Sequence, residues 1–197
     1  MTIETVRVAV GTDDVHERDD TPEVVDNAIA VWANGENPTF SLDGGFRFDP
    51  VDVPQGATVN VGTFVTFTPN DVPANDDAGC TIYADDVDDS ATWTVGAGTD
   101  VTGRTRTTAS VAWSETALGA VASDTPDIAS VIQEVIDRAL WASGNALSII
   151  TIHDGSGNDL RLSPRDVDEA NAPLLTVDYT AAGGSTKRYG LSLVGVG

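Results

Sequence analysis

Short runs of Val, Thr, Ile and aromatic residues, parted by Gly, Pro, Asn and Asp, recur along most of the chain. That rhythm predicts strands and turns of an all-β sandwich. The runs fall at Thr5 to Val10, Ala28 to Ala33, Gly45 to Phe48, Thr58 to Thr68, Gly79 to Ala84, Ala109 to Trp113, Ala146 to Ile152 and Leu174 to Tyr179. About eight strands suit a jelly-roll-like β-sandwich.

One segment departs from the β rhythm. Val131, Ile132, Val135, Ile136 and Leu140 form an apolar stripe at helical spacing, preceded by Thr125, Pro126 and Asp127. Thr125 suits an N-cap and Pro126 a first helical position, so one short amphipathic helix is expected over about 126–140, ended by the Ala142-Ser143-Gly144-Asn145 turn. Its expected task is to pack over one end or face of the sandwich. After Tyr179 the Ala181-Ala182-Gly183-Gly184-Ser185 stretch reads as a flexible joint and Leu191 to Val196 as a short apolar strand. The division expected is a β-sandwich domain over 1–180 and a C-terminal joint and arm over 181–197. The arm is either a docking element or one more strand of the same domain. Lys187, Arg188, Tyr189, Leu191, Leu193 and Val194 would carry docking, the apolar three by adding to a sheet edge.

Charge changes the picture. The chain has 31 Asp and Glu against 10 Lys and Arg, a net charge of −21, and its single lysine is Lys187. Acids spread between apolar runs, rather than gathered in a tail, fit a surface kept hydrated in molar salt, where repulsion is screened within about 3 Å. A halophilic source is therefore expected. With no basic stripe to release counterions from phosphates, nucleic acid is not an expected partner. No apolar run reaches 18 residues, and Met1 to Val10 lack the basic and apolar regions of a signal peptide, so neither a membrane span nor signal-directed secretion is expected. Cys80 stands alone and reads as a small buried hydrophobe.

Several segments taken in order resemble a known kind of module. They are Gly45-Phe46-Arg47-Phe48, Val53-Pro54-Gln55-Gly56-Ala57-Thr58, Thr107-Thr108-Ala109-Ser110-Val111-Ala112-Trp113, Thr125-Pro126-Asp127-Ile128, Val131-Ile132-Gln133-Glu134-Val135, Trp141-Ala142-Ser143-Gly144-Asn145-Ala146-Leu147 and Asn171-Ala172-Pro173-Leu174-Leu175. Over about residues 5–180 the chain is similar to jelly-roll modules of the carbohydrate-binding and DNRLRE type. Asp13-Asp14 also resembles the acidic turn after that family's first strand. Ala139-Leu140 depart from it, standing where a Pro-Gly turn is common. The resemblance implies a β-sandwich without catalysis; ligand identity does not follow from fold.

Candidate chemistry is sparse. His16 and His153 lie far apart without metal-ligand spacing and read as solvated or turn residues. There is no Gly-x-Ser-x-Gly elbow, and paired carboxylates carry little weight in so acidic a chain. Two loops offer oxygen donors to a hard cation such as Ca2+ or Mg2+: Asp13 and Asp14 with Glu17, and Asp85, Asp86, Asp88 and Asp89. Solvated halophilic acids account for the same residues. Trp32, Trp93, Trp113 and Trp141 could stack a sugar if exposed, Trp113 and Trp141 foremost, although tryptophans in strands and after helices usually pack in the core.

The expected function is a non-enzymatic virion structural protein of a halophilic tailed virus, in a capsid decoration, turret or tail. It would assemble with itself as a homo-oligomer and with other virion proteins. The alternative is a glycan-binding module, cellular or acting on host surface glycans.

Overall fold

A computed structural model describes residues 1–21, 23–25, 31–37, 40–60, 64–67, 77–116, 118 and 122–182. Its strands are β1 (Thr2–Arg7), β2 (Asp14–Arg18), β3 (Glu23–Val25), β4 (Val31–Asn37), β5 (Phe40–Phe48), β6 (Thr58–Val59), β7 (Phe64–Phe67), β8 (Ala78–Ala84), β9 (Val111–Glu115), β10 (Ser123–Asp124), β11 (Leu147–His153), β12 (Leu160–Leu162) and β13 (Leu174–Thr180). One helix, α1 (Ala129–Ile136), joins them. Among the described residues the fold is an all-β sandwich with one α-helix, as the alternating runs predict.

A five-stranded sheet is built around β13, which pairs antiparallel with β1, β6 and β7; β10 extends it beyond β7. An eight-stranded sheet runs β12-β4-β5-β11-β8-β9, with β2 paired to β5 and β3 to β2. The main core lies between the sheets. Val6, Leu175, Val177 and Tyr179 enter it from the first, and Phe46, Phe48, Ile82, Trp113, Leu147 and Ile149 from the second.

The eight-stranded sheet is also covered on its outer face. Val15, Val24 and Ile150 make a second apolar cluster with Trp93 and Val101 from the irregular segment between β8 and β9. Alternate side chains of β2, β5 and β11 are thus buried on opposite faces. This explains why these strands carry little exposed polar alternation.

The helix is shorter than expected and starts later. The Thr125 hydroxyl donates to the Pro126 carbonyl (2.9 Å), and the turn opens instead at Asp127, whose carboxylate accepts from the Ala129 N–H (3.0 Å). Val131, Ile132, Val135 and Ile136 are buried as the stripe requires, whereas Leu140 lies beyond the helix and is 76% exposed. Two neighbouring polar side chains fix α1 in place. Gln133 accepts from the Val59 N–H (2.8 Å) and donates to the Ala57 carbonyl (2.9 Å), while Glu134 accepts from the N–H groups of Thr108 (2.8 Å) and Ala109 (2.7 Å).

The eight predicted runs all meet strands, with shifted ends. The Thr58 to Thr68 run is divided between β6 and β7, and the Ala28 to Ala33 run meets β4 only from Val31. Strands β2, β3, β10 and β12 lie outside every predicted run. The arm candidates Lys187, Arg188, Tyr189, Leu191, Leu193 and Val194 lie outside the described residues.

Candidate functional site

The acids that looked like cation ligands do not converge. Asp13 sits in a short 3-10 turn ahead of β2 and accepts from Arg47 Nη1 (3.2 Å). Burial pushes its carboxyl above the ordinary carboxylate range, and the guanidinium opposes that shift. Asp14 accepts from the Arg165 N–H (2.7 Å). Glu17, on β2, accepts from the N–H groups of Val101 (2.7 Å) and Thr102 (3.1 Å) and from the Thr102 hydroxyl. Each carboxylate is held by a different donor set, as its burial requires.

The second acidic loop, after β8, is organised in the same way. Asp85 accepts from the Ser90 hydroxyl (2.7 Å) and Arg104 Nη1 (3.0 Å). Asp86 and Asp88 share Arg138, Asp88 at 3.0 Å from Nε. Asp89 accepts from the Ala146 N–H (2.8 Å). All seven candidate ligands therefore accept hydrogen bonds from the protein itself, and among the described residues no three His, Cys, Asp or Glu are grouped to hold a metal ion.

Three arginines organise this network by bridging two acids each: Arg47 joins Asp13 and Asp49, Arg104 joins Asp85 and Asp100, and Arg138 joins Asp86 and Asp88. The planar guanidinium suits such bridging. Arg104 borders an open depression of about 320 Å³ with Asp85, Asp89, Asp100 and Thr105, and Val87 and Ala91 supply its apolar part. Its guanidinium also lies over the Trp93 ring, 3.7 Å from the centroid. The arginine's Nε meets Asp100, its Nη1 meets Asp85 and Ser90, and its Nη2 meets Asp100 and the Thr92 carbonyl. Its donors are engaged, and with Asp85, Asp89 and Asp100 around this one guanidinium the depression keeps an acidic lining.

Trp93, Trp113 and Trp141 are packing residues. Trp113 is fully buried in the main core, and Trp141 is buried there with its Nε1–H donated to the Val53 carbonyl (2.9 Å). Neither offers the exposed face that stacking a sugar would need. Trp93 lies under Arg104 and against Gly45, where an added Cβ would stand 2.8 Å from the ring. Trp32 falls in β4, its side chain outside the described residues.

Both histidines depart from the solvated or turn roles expected of them. His16 is in β2 and 4% exposed; its Nδ1 has no hydrogen-bond partner, and burial, with a smaller contribution from Arg18, lowers its pKa to about 4. His153 ends β11 and is oriented by Asp43, whose Oδ1 lies 2.9 Å from both its Nδ1 and its backbone nitrogen. Cys80, opposite His153 in the ladder, is buried, and burial raises its thiol pKa, which keeps it neutral and unreactive. The Asp43–His153 pair and the Glu17 contacts were not legible in the sequence, because the partners stand 110 positions apart in the first and 84 and 85 apart in the second, and only the tertiary fold brings them together. No family model matches the chain, and no curated protein matches it.

Proposed function

We propose that this protein is a non-enzymatic structural component of the virion of a halophilic tailed virus, assembling through its sandwich surfaces. The observation that carries the reading is the way its polar groups are used. The acids singled out for chemistry are tied to the chain's own arginines and amides. Satisfied networks of this kind rigidify a scaffold and leave little reactive capacity.

Assembly has a natural place on β1. Among the described residues this edge strand pairs only with β13; it exposes Ile3 (61%), and Met1 just ahead of it is exposed too (88%). An unpaired strand edge is a ready template for a second chain. Homo-oligomers, other virion proteins, and the segment around Leu191, Leu193 and Val194 are the partners this reading names. The acidic surplus fits molar salt, where like-charged copies can approach.

The test is the mass of the purified protein in molar salt, for the wild type, for Ile3→Lys and for a chain lacking residues 181–197. A defined oligomer that dissociates in either variant supports the virion building block. A wild-type monomer would reject self-assembly, and glycan binding by that monomer would establish the module implied by the resemblance to carbohydrate-binding domains.

A further inference from the structure

Asn34 and Gly35 are the chain's one Asn-Gly pair, and both are buried in β4. Asn34 stands between Asp43 of β5 and Leu160 of β12, and Gly35 opposite Leu42 of β5. A glycine after an asparagine has no side chain to keep its backbone nitrogen away from the preceding amide, and its backbone bends freely. We propose that Asn34 is a deamidation site that the fold protects, and that its conversion in an unfolded chain bars that chain from the native state.

The reaction needs only the chain and solvent. The Gly35 nitrogen gives its proton to hydroxide and attacks Cγ of Asn34; a C–N bond forms, the bond from Cγ to Nδ2 breaks, and the leaving nitrogen takes a proton from water and departs as ammonia. Water then adds to either carbonyl of the five-membered imide, and the ring opens to aspartate or isoaspartate. An unfolded chain samples the bent geometry this attack requires. The folded chain does not. β4 is paired on both sides at Asn34, which keeps the backbone extended, and the side-chain amide is tied at both ends. Its Nδ2 donates to the carbonyls of Asn158 (2.8 Å) and Asp77 (3.4 Å), and its Oδ1 accepts from the Gly79 N–H (3.3 Å). With Asn34 at 0% exposure, solvent does not reach Cγ.

The same contacts make the product unfit for its place. Asn34 joins β4 to the start of β8 and to the β11–β12 turn, a node closed further by bonds from the Asp77 N–H to the Asp159 carbonyl (2.9 Å), from the Asp154 N–H to the Gly79 carbonyl (3.0 Å) and from Asn158 Nδ2 to the Ala78 carbonyl (3.2 Å). Room is short: a Cβ on Gly79 would stand 2.1 Å from Ser156 Oγ. Aspartate at position 34 could still accept from Gly79, but it would turn a buried, charged oxygen toward the carbonyls of Asp77 and Asn158, where a donor stood. Isoaspartate lengthens the backbone by a methylene and shifts the register of β4 against both neighbours. Unfolding that lasts long enough therefore becomes irreversible through chemistry.

To test this, the full chain is held in mildly alkaline buffer, for equal times, in molar salt and in guanidinium chloride. Peptide mass spectrometry then reads the replacement of NH2 by OH at Asn34. Conversion should be at least about tenfold faster in the unfolded chain, because the native rate follows the small population of opened molecules. Gly35→Ala, compared in guanidinium chloride alone so that its folding is immaterial, should convert more slowly than the wild type. Once denaturant is removed, the fraction that regains the native near-ultraviolet signal should be depleted of converted chains. Equal rates in the two solvents, an undiminished rate in Gly35→Ala, or converted chains refolding in the proportion in which they entered would each overturn the proposal. Should briefly unfolded wild type itself not refold, Asn34→Asp expressed directly decides: it should fail to fold or melt well below the wild type, and wild-type melting would overturn the proposal.

Discussion

His16 gives a pH dependence whose size follows from its place in the fold. It is buried on β2 beside Gly44 of β5 and Val25 of β3, and its pKa is lowered from the ordinary 6.5 to about 4. The unfolded chain therefore binds a proton on this ring before the folded chain does. The neutral ring's contribution is fully present above pH 6.5, declines as pH falls through the window from 6.5 to 4, and is gone below it. At roughly 1.4 kcal/mol per tenfold, the loss amounts to about 3 kcal/mol. Asp13 and Asp43 act in the opposite sense. Burial raises their carboxyl pKa values above 3.8, so the folded state holds their protons more readily and gains stability as pH falls toward them. A variant that differs only at position 16 cancels these shared terms. His16→Leu should match or exceed the wild type at pH 8, where it removes an unpartnered buried nitrogen, and should exceed it by about 3 kcal/mol more at pH 4. Urea unfolding at both pH values in the same salt measures this difference. Parallel losses in the two proteins would refute the assignment of a neutral buried ring to His16.

Removing Arg104 in Arg104→Met leaves Asp85 a buried carboxylate without its cation, which should lower stability by about 3–5 kcal/mol in thermal or urea unfolding. Gly45→Ala places a methyl against the Trp93 ring, and unfolding should show a loss of about 1–3 kcal/mol together with a changed near-ultraviolet tryptophan signal. Trp141→Phe removes the hydrogen bond to Val53 and should cost about 1–3 kcal/mol, with the far-ultraviolet spectrum retained. Calcium at millimolar concentration should move the melting temperature little relative to a chelator control, because the acids of both candidate loops already have protein donors; a large rise would show that those contacts yield to a cation.

The legible parts of the fold were those with continuous apolar or β-branched runs. β11 and β13 present such runs, and the stripe from Val131 to Ile136 marks α1 even though its start is displaced. β2 was hidden because Asp14, His16 and Glu17 look like the contents of a solvated loop. Asp14 and Glu17 are buried with donors from Arg165, Val101 and Thr102, distant in sequence, and His16 is buried as a neutral ring. The acidic turn after β8 was visible as a cluster of carboxylates, but its role depends on Arg104 and Arg138, whose pairing follows from tertiary structure. Trp93 and Val101 were sparse apolar hints, beside an exposed Val95, that a Gly- and Thr-rich stretch covers a sheet face.

The hub position of β13 bears on synthesis. This strand joins β1, β6 and β7, yet it is the last described strand to leave the ribosome. Until residues 174–180 emerge, β1 has no partner among the described strands, and one wall of the main core is missing. Closing contacts across nearly the whole chain is entropically slow. A nascent or truncated chain ending before β13 would hold the eight-stranded sheet with its apolar inner face open, making chain completion the step at which aggregation risk falls.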